Sequence, residues 1–255
     1  EMRDVFGNST LLPTTLGPDG ISRTIHIEVT EQPVFIRGID VALAKFLAGV
    51  SITPQLLDAA AELGEHKITI SNPWPQSISG KLSILEPGGF DSAERDRSWR
   101  INPRTVSFAL PAGAKREFPF TVAFRPSEES GPKRFLLGVD LTNDLPYGVL
   151  RVERELELGL KDFRVDGAYS IRGEDLIAEC IVTNTSDKPI TLEITALAPG
   201  LPRSRATIPD VAPGSQAIRR FTYTQAAATL KGQHVVFSVS DPDQGDRLTR
   251  SVLIE

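Results

Sequence analysis

The tract "DPDQGD" sets three carboxylates, Asp241, Asp243 and Asp246, at short spacing. Oxygen ligands placed this way suit a calcium ion, whose coordination is dominated by carboxylates and carbonyls. The order departs from that of an EF-hand loop, with Gly245 where a ligand is wanted and Val252 where the bidentate glutamate belongs. A polar hairpin turn is the competing reading, and calcium is the one cofactor these residues suggest. A second group carries aromatic chemistry. Trp74 stands between two prolines in "NPWPQ", and "EPGGFDSAERDRSWRINP" gathers Asp91, Glu94, Asp96 and Trp99 with Arg95 and Arg97. An indole face stacks on the C–H face of a sugar, so Trp74 and the 91–99 loop outline a carbohydrate-binding edge with polysaccharide as partner. Against this stand a tryptophan folded into the sandwich edge and a mixed-charge loop that is simply solvated.

Residues for covalent or hydrolytic chemistry are not arranged for it. The sequence has no G-x-S-x-G, P-loop, H-E-x-x-H or G-x-G-x-x-G pattern. His26, His66 and His234 are far apart, with no metal-ligand spacing between any two. Paired carboxylates for glycosidic hydrolysis need a cleft, and nothing outlines one. The single cysteine, Cys180, falls on the apolar parity of its strand and reads as a core residue rather than a reactive thiol. The expectation is a chain that is not itself an enzyme.

The elements that would position these residues are strands. Hydrophobic residues make up 40% and charged residues 24%, the balance of a folded globular chain. At 255 residues the chain exceeds the ordinary single domain. Its net charge of −5 and scattered Lys and Arg argue against nucleic acid. No apolar run approaches the roughly 20 residues of a membrane span, so no membrane insertion is expected in this segment.

"ISNPWPQSISGKLSI", from Ile70, returns in the same rhythm as "VTNTSDKPITLEITA", from Val182, with Asn72 recurring as Asn184 and Ile78 as Ile190. "LPAGAKREFPFTV" (from Leu110) likewise returns as "VAPGSQAIRRFTY" (from Val211), and Val139 aligns with Val239. The first copy is longer by the loop that holds Asp91 to Trp99. Each copy contains six or seven short alternating runs separated by Gly, Pro, Asn and Asp, the pattern of an antiparallel β-sandwich of immunoglobulin-like type. Phe118, Phe120, Val122 and Phe124, then Phe135, Leu137, Val139 and Leu141, supply inward faces in the first copy; Phe221, Tyr223, Val235, Phe237 and Val239 do so in the second. Leu150 to Leu160 reads as the last strand of the first sandwich, passing directly into the second. Against this all-β reading, Thr53, Pro54 and Gly64 frame "TPQLLDAAAELGE" as a short helix.

Asn72, then Gly80, Leu82 and Ile84, then Leu110 with Gly113, resemble the bacterial immunoglobulin-like domain attached to alpha-galactosidases beside a novel carbohydrate-binding module. The resemblance covers residues 45–160 well and 161–255 loosely, with Leu192 departing from the glycine pattern. Pro33, Val34, Phe35, Ile36 and Gly38 are similar to the exit of the β-sandwich that follows the barrel in many retaining glycosidases.

The expected organisation is therefore all-β: terminal strands of an incomplete upstream β-domain (1–40), then tandem immunoglobulin-like antiparallel β-sandwiches (41–160 and 161–255). The resemblances imply a non-catalytic accessory module of a larger secreted, periplasmic or cell-surface protein, its partners an upstream domain or another envelope protein. Direct glycan binding and adhesion or assembly through a sheet edge are the rival functions.

Overall fold

A computed structural model describes residues 2–3, 5–6, 8–12, 15–16, 23–24, 31, 33–60, 63–87, 99–142 and 147–255. The chain divides into two compact units, Glu1–Ala48 and Gly49–Glu255. In the first, β1 (Met2–Arg3) lies between β2 (Ser9–Thr10) and β5 (Phe35–Ile36), and β3 (Thr15–Leu16) pairs with β4 (Arg23–Thr24). Helix α1 (Val41–Gly49) follows. Asp40 caps it, Oδ1 accepting the Leu43 N–H at 2.9 Å, which satisfies a donor the first helical turn leaves free.

Residues 49–255 form the tandem immunoglobulin-like sandwiches. The first contains β6 (Ser51–Thr53), β7 (Leu56–Asp58), β8 (Gly64–Ser71), β9 (Ile78–Leu85), β10 (Arg100–Asn102), β11 (Thr105–Leu110), β12 (Lys115–Ala123), β13 (Gly131–Leu141) and β14 (Leu150–Gly159). Its sheets run β10-β12-β8-β6 and β11-β9-β13-β14-β7. The second contains β15 (Phe163–Arg172), β16 (Asp175–Asn184), β17 (Ile190–Leu197), β18 (Ser204–Val211), β19 (Gln216–Tyr223), the short helix α2 (Ala227–Leu230), β20 (His234–Ser240) and β21 (Arg247–Leu253). Its sheets run β15-β16-β19 and β18-β17-β20-β21.

The inward faces are those the alternation marks. Phe135, Leu137, Val139 and Leu141 are buried in one sandwich, and Val235, Phe237 and Val239 in the other, with Cys180 in the same core. The duplication extends to register. Leu82 faces Val139 across β9 and β13 as Ile194 faces Val239 across β17 and β20. Phe120 faces His66 as Phe221 faces Ala178.

The two recurring asparagines make the same bonds. Asn72 Nδ2 donates to the Gln76 and Leu110 carbonyls at 2.9 and 3.0 Å, and Asn184 Nδ2 to those of Lys188 and Val211 at 2.8 and 2.7 Å. Their Oδ1 atoms accept from the Trp74 and Ser186 N–H at 3.0 and 2.8 Å. Each backbone completes the clasp: Asn72 exchanges bonds with Ala114 and Gly113, and Asn184 with Ser215 and Gly214. Gly113 and Gly214 sit at φ of 70° and 69°, the left-handed conformation these turns require.

One sequence expectation is overturned. The described residues of this stretch are not helical: Leu56–Asp58 is a strand, paired parallel with Glu157–Gly159. Bonds to β14 satisfy this backbone and override the local cap and stop signals, a tertiary override of weak propensity. The longer helix is α1, and its signal is Asp40 ahead of an Ala- and Leu-rich run that ends on Gly49.

Gly80 and Leu192 mark where the copies part. A Cβ on Gly80 would overlap the Asp140 carbonyl oxygen and lie 3.0 Å from Phe108 Cζ. In the second copy the side chain of Leu192 is accommodated, and a register shift between Ile190 and Leu192 separates β17 from a regular pairing with β18. Gly80→Ala is accordingly expected to lower stability by about 1–3 kcal/mol through overpacking against backbone. Urea unfolding measures this, and an unchanged midpoint would show that β9 and β13 move apart freely.

Candidate functional site

Trp74 and Trp99 are core residues. Trp74 is 5% exposed, with Tyr147 at 6.0 Å from its ring; Trp99 is 2% exposed, between Phe124 at 5.2 Å and Phe135 at 5.6 Å. No broad indole face is left for a sugar ring, so the stacking expectation gives way to packing at the sandwich edge. Asp91, Glu94 and Asp96 lie outside the described residues. The chain on either side of that loop is anchored: the buried Glu86 carboxylate accepts from Arg104 Nη1, and Arg104 Nη2 donates to the Trp99 carbonyl at 3.3 Å.

Asp241, Asp243 and Asp246 do share one turn, but Asp241 Oδ1 accepts the N–H groups of Asp243 and Gln244 at 2.8 and 3.3 Å. That carboxylate shapes the hairpin between β20 and β21. Among the described residues no three His, Cys, Asp or Glu side chains are grouped to hold a metal. Burial pushes the Asp246 carboxyl above the usual carboxylate range, and Asp58, Asp241 and Asp162 push it further.

Cys180 is buried without a disulfide, and burial, then Asp166, pushes its thiol up to about 12, so the nucleophilic thiolate is not populated near neutrality. His66 borders a depression of ≈ 520 Å³ with Pro54, Pro119, Lys67, Asn102 and Thr121. Its Nδ1 is 2.9 Å from the Pro54 carbonyl, which assigns the proton to Nδ1, and its ring lies 5.6 Å from Phe120. Burial lowers its pKa, opposed by that hydrogen bond. Among the described residues, neither buried group is paired with a base or nucleophile.

Among the described residues, a dense polar arrangement lies where the sandwiches meet. Only Leu160, Lys161 and Asp162 separate β14 from β15, and Leu160 is buried in the second core. Thr185 and Ser186, the residues after the Asn184 clasp, hold this link: their N–H groups donate to the Asp162 carbonyl at 2.9 and 3.1 Å, and Thr185 Oγ1 donates to that of Lys161 at 2.6 Å. Across the junction Ser130 N–H donates to the Thr249 carbonyl at 2.7 Å and Arg250 Nη1 to that of Ser130 at 2.8 Å. Ser251 Oγ donates to Glu129 Oε2 at 2.6 Å, and Lys161 pairs with Asp58 at 3.3 Å. Gly131 stands at φ 112°, with Arg250 Nη1 occupying the place a Cβ would take, so a glycine is required for this approach.

Sequence reading misses these contacts. Periodicity carries no signal for them: Glu129, Ser130, Arg250 and Ser251 look like ordinary surface residues until the fold brings them together. Gly131, ahead of an apolar strand, is the available cue.

Neither a protein-family model nor a curated protein matches the chain. Solved structures are similar in part: red sea bream transglutaminase (16% identity, TM-score 0.34, over 81% of this chain and 31% of that one) and the Pseudomonas aeruginosa CupB2 chaperone (13%, 0.30, 79% and 98%). The Salmonella enterica SafA pilin in complex with the SafB chaperone aligns at 11% identity and a TM-score of 0.32, over 80% of this chain and 95% of that one. The chain thus spans less than a third of the transglutaminase, and none of these likenesses bears on what it does.

His66 gives the site a pH signature. Its folded pKa lies below the unfolded value of 6.5, so its contribution to stability is full above that pH and falls as the solution is acidified through the folded value. Between pH 7.5 and 5, the wild-type urea midpoint should drop more steeply than that of His66→Ala. Parallel slopes would show that His66 protonates without cost in the fold.

Proposed function

We propose that this chain is a non-catalytic structural module, a stiff pair of immunoglobulin-like sandwiches that spaces or docks parts of a larger assembly. The observation that carries the reading is the junction. A three-residue link whose carbonyls are bonded to Thr185 and Ser186, with Arg250 and Ser130 bonded across it, leaves little freedom between the sandwiches. Flexible tethers are instead long and rich in Gly and Ser.

The first unit supports attachment. Consecutive strand residues point to opposite faces, yet Phe35 is 60% and Ile36 37% exposed. Apolar side chains thus remain open on both faces of the small sheet, which suits completion by a neighbouring β-domain of the same protein or of another envelope protein. The sequence likeness to alpha-galactosidase-associated domains supplies the setting, a carbohydrate-active protein outside the cytoplasm. Among the described residues no helix is long and apolar enough to cross a membrane.

Scanning calorimetry tests the stiffness. The unaltered sandwiches should unfold in one cooperative transition. Arg250→Ala, which removes a charged donor worth about 1.5–3 kcal/mol, should broaden or split it. Two resolved transitions in the unaltered chain would mean that the sandwiches unfold independently, and would remove the basis for a rigid spacer.

A further inference from the structure

The two sandwiches share one plan, and they differ beside β12 and β19. Lys115 to Val122 of β12 pairs with β8 in the register in which Gln216 to Tyr223 of β19 pairs with β16. On its other side β12 receives β10, antiparallel, with Ile101 opposite Val122 and Asn102 opposite Thr121. Ile101 is buried there, as is Trp99 just before it. Among the described residues the equivalent place beside β19 has no strand, and β19 ends its sheet.

Native edges are commonly blunted by brevity, proline, bulges or cover. Here β6, β7 and β10 are three residues each; β18 carries Pro209, a register shift and Asp210 at φ 49°; β15 runs close beside β21 at Gly167 and Val252. β19 is eight residues long and has no proline, glycine or register shift. Its Ile218 is 49% exposed, and Ala217, with Ala206 and Ile208 of β18, is only partly buried against the core. Arg205, Arg219 and Arg220 are exposed around this strip, and Arg220 is bonded to Glu179 at 2.7 Å.

We propose that the outer edge of β19 accepts an extended acidic segment of a partner protein as an added antiparallel strand, in the place that β10 fills in the first sandwich. Main-chain bonds supply the affinity in such additions and alternating side chains the selectivity. Arg219 selects an acidic residue on one face of the added strand, and Ile218, on the opposite face, selects the apolar residue next to it. A second copy of this chain is the weaker match: antiparallel two-fold pairing keeps the faces matched, so centring it on residue 219 or 220 sets that arginine opposite its own copy, and like charges directly opposed destabilise a pair. This inference goes beyond the spacer reading and rests on the comparison of the two sheets, not on the junction.

The test uses the full ¹⁵N-labelled chain with two synthetic peptides, one alternating Glu with Val and one with Arg replacing each Glu. The Glu peptide should shift the amides of residues 216–223 saturably. In Arg219→Glu its affinity should fall at least tenfold, while the Arg peptide gains; Ile218→Lys should weaken both, and amide spectra verify that each variant is folded. Absence of a saturable shift along β19, or equal binding of the two peptides by the unaltered chain, overturns the proposal. So does a concentration-dependent shift of β19 without peptide, which would make a second copy the occupant.

Discussion

A side-chain amide taken out of water must find protein partners for two donors and an acceptor, because each one left unmade costs about 1–3 kcal/mol. Asn72 and Asn184, 2% and 0% exposed, meet that demand by bonding two separate turns at once. One turn leads from β8 to β9, or from β16 to β17; the other introduces β12 or β19. Each of these turns crosses between the sheets, since β8 and β12 (or β16 and β19) lie in one and β9 and β11 (or β17 and β18) in the other, so each asparagine ties the sheets together at one end of a sandwich. Aspartate has no donors and serine is too short, which explains the residue type in both copies.

In the second copy the clasp reaches further. Asn184 Oδ1 fixes Ser186, whose N–H, with that of Thr185, holds the carbonyl of Asp162 in the link between sandwiches. Local turn chemistry therefore becomes inter-sandwich geometry, and Arg250 with Ser130 secures the other side. The spacer role proposed for the chain rests on this continuity of short-range bonds from turn to link. It needs no pocket and no catalytic group.

Much of this architecture is legible in the sequence because it repeats. The inward faces follow from alternation at Phe135 to Leu141 and Val235 to Val239, and the turns follow from Asn72, Asn184, Gly113 and Gly214. Contacts between distant strands are not legible in that way. Leu56–Asp58 pairs with β14 against its local helical signals. Trp74 and Trp99, with prolines and charges as sequence neighbours, read either as stacking aromatics or as edge packing, and their neighbours in space, Tyr147, Phe124 and Phe135, decide for packing. Asp241 shows the same limit in polar form: spacing suggests ligands, whereas its carboxylate is engaged by the turn itself.

The measurement that bears most directly on this account is hydrogen exchange of the Asn72 and Asn184 side-chain amides, followed by NMR in the native protein. Both NH₂ groups should exchange far more slowly than those of exposed asparagines, and Asn184 should share its protection with the Thr185 and Ser186 backbone amides. Exchange at the rate of a solvent-exposed amide in either residue would contradict the clasp, and with it the claim that these two turns organise the sandwiches and their junction.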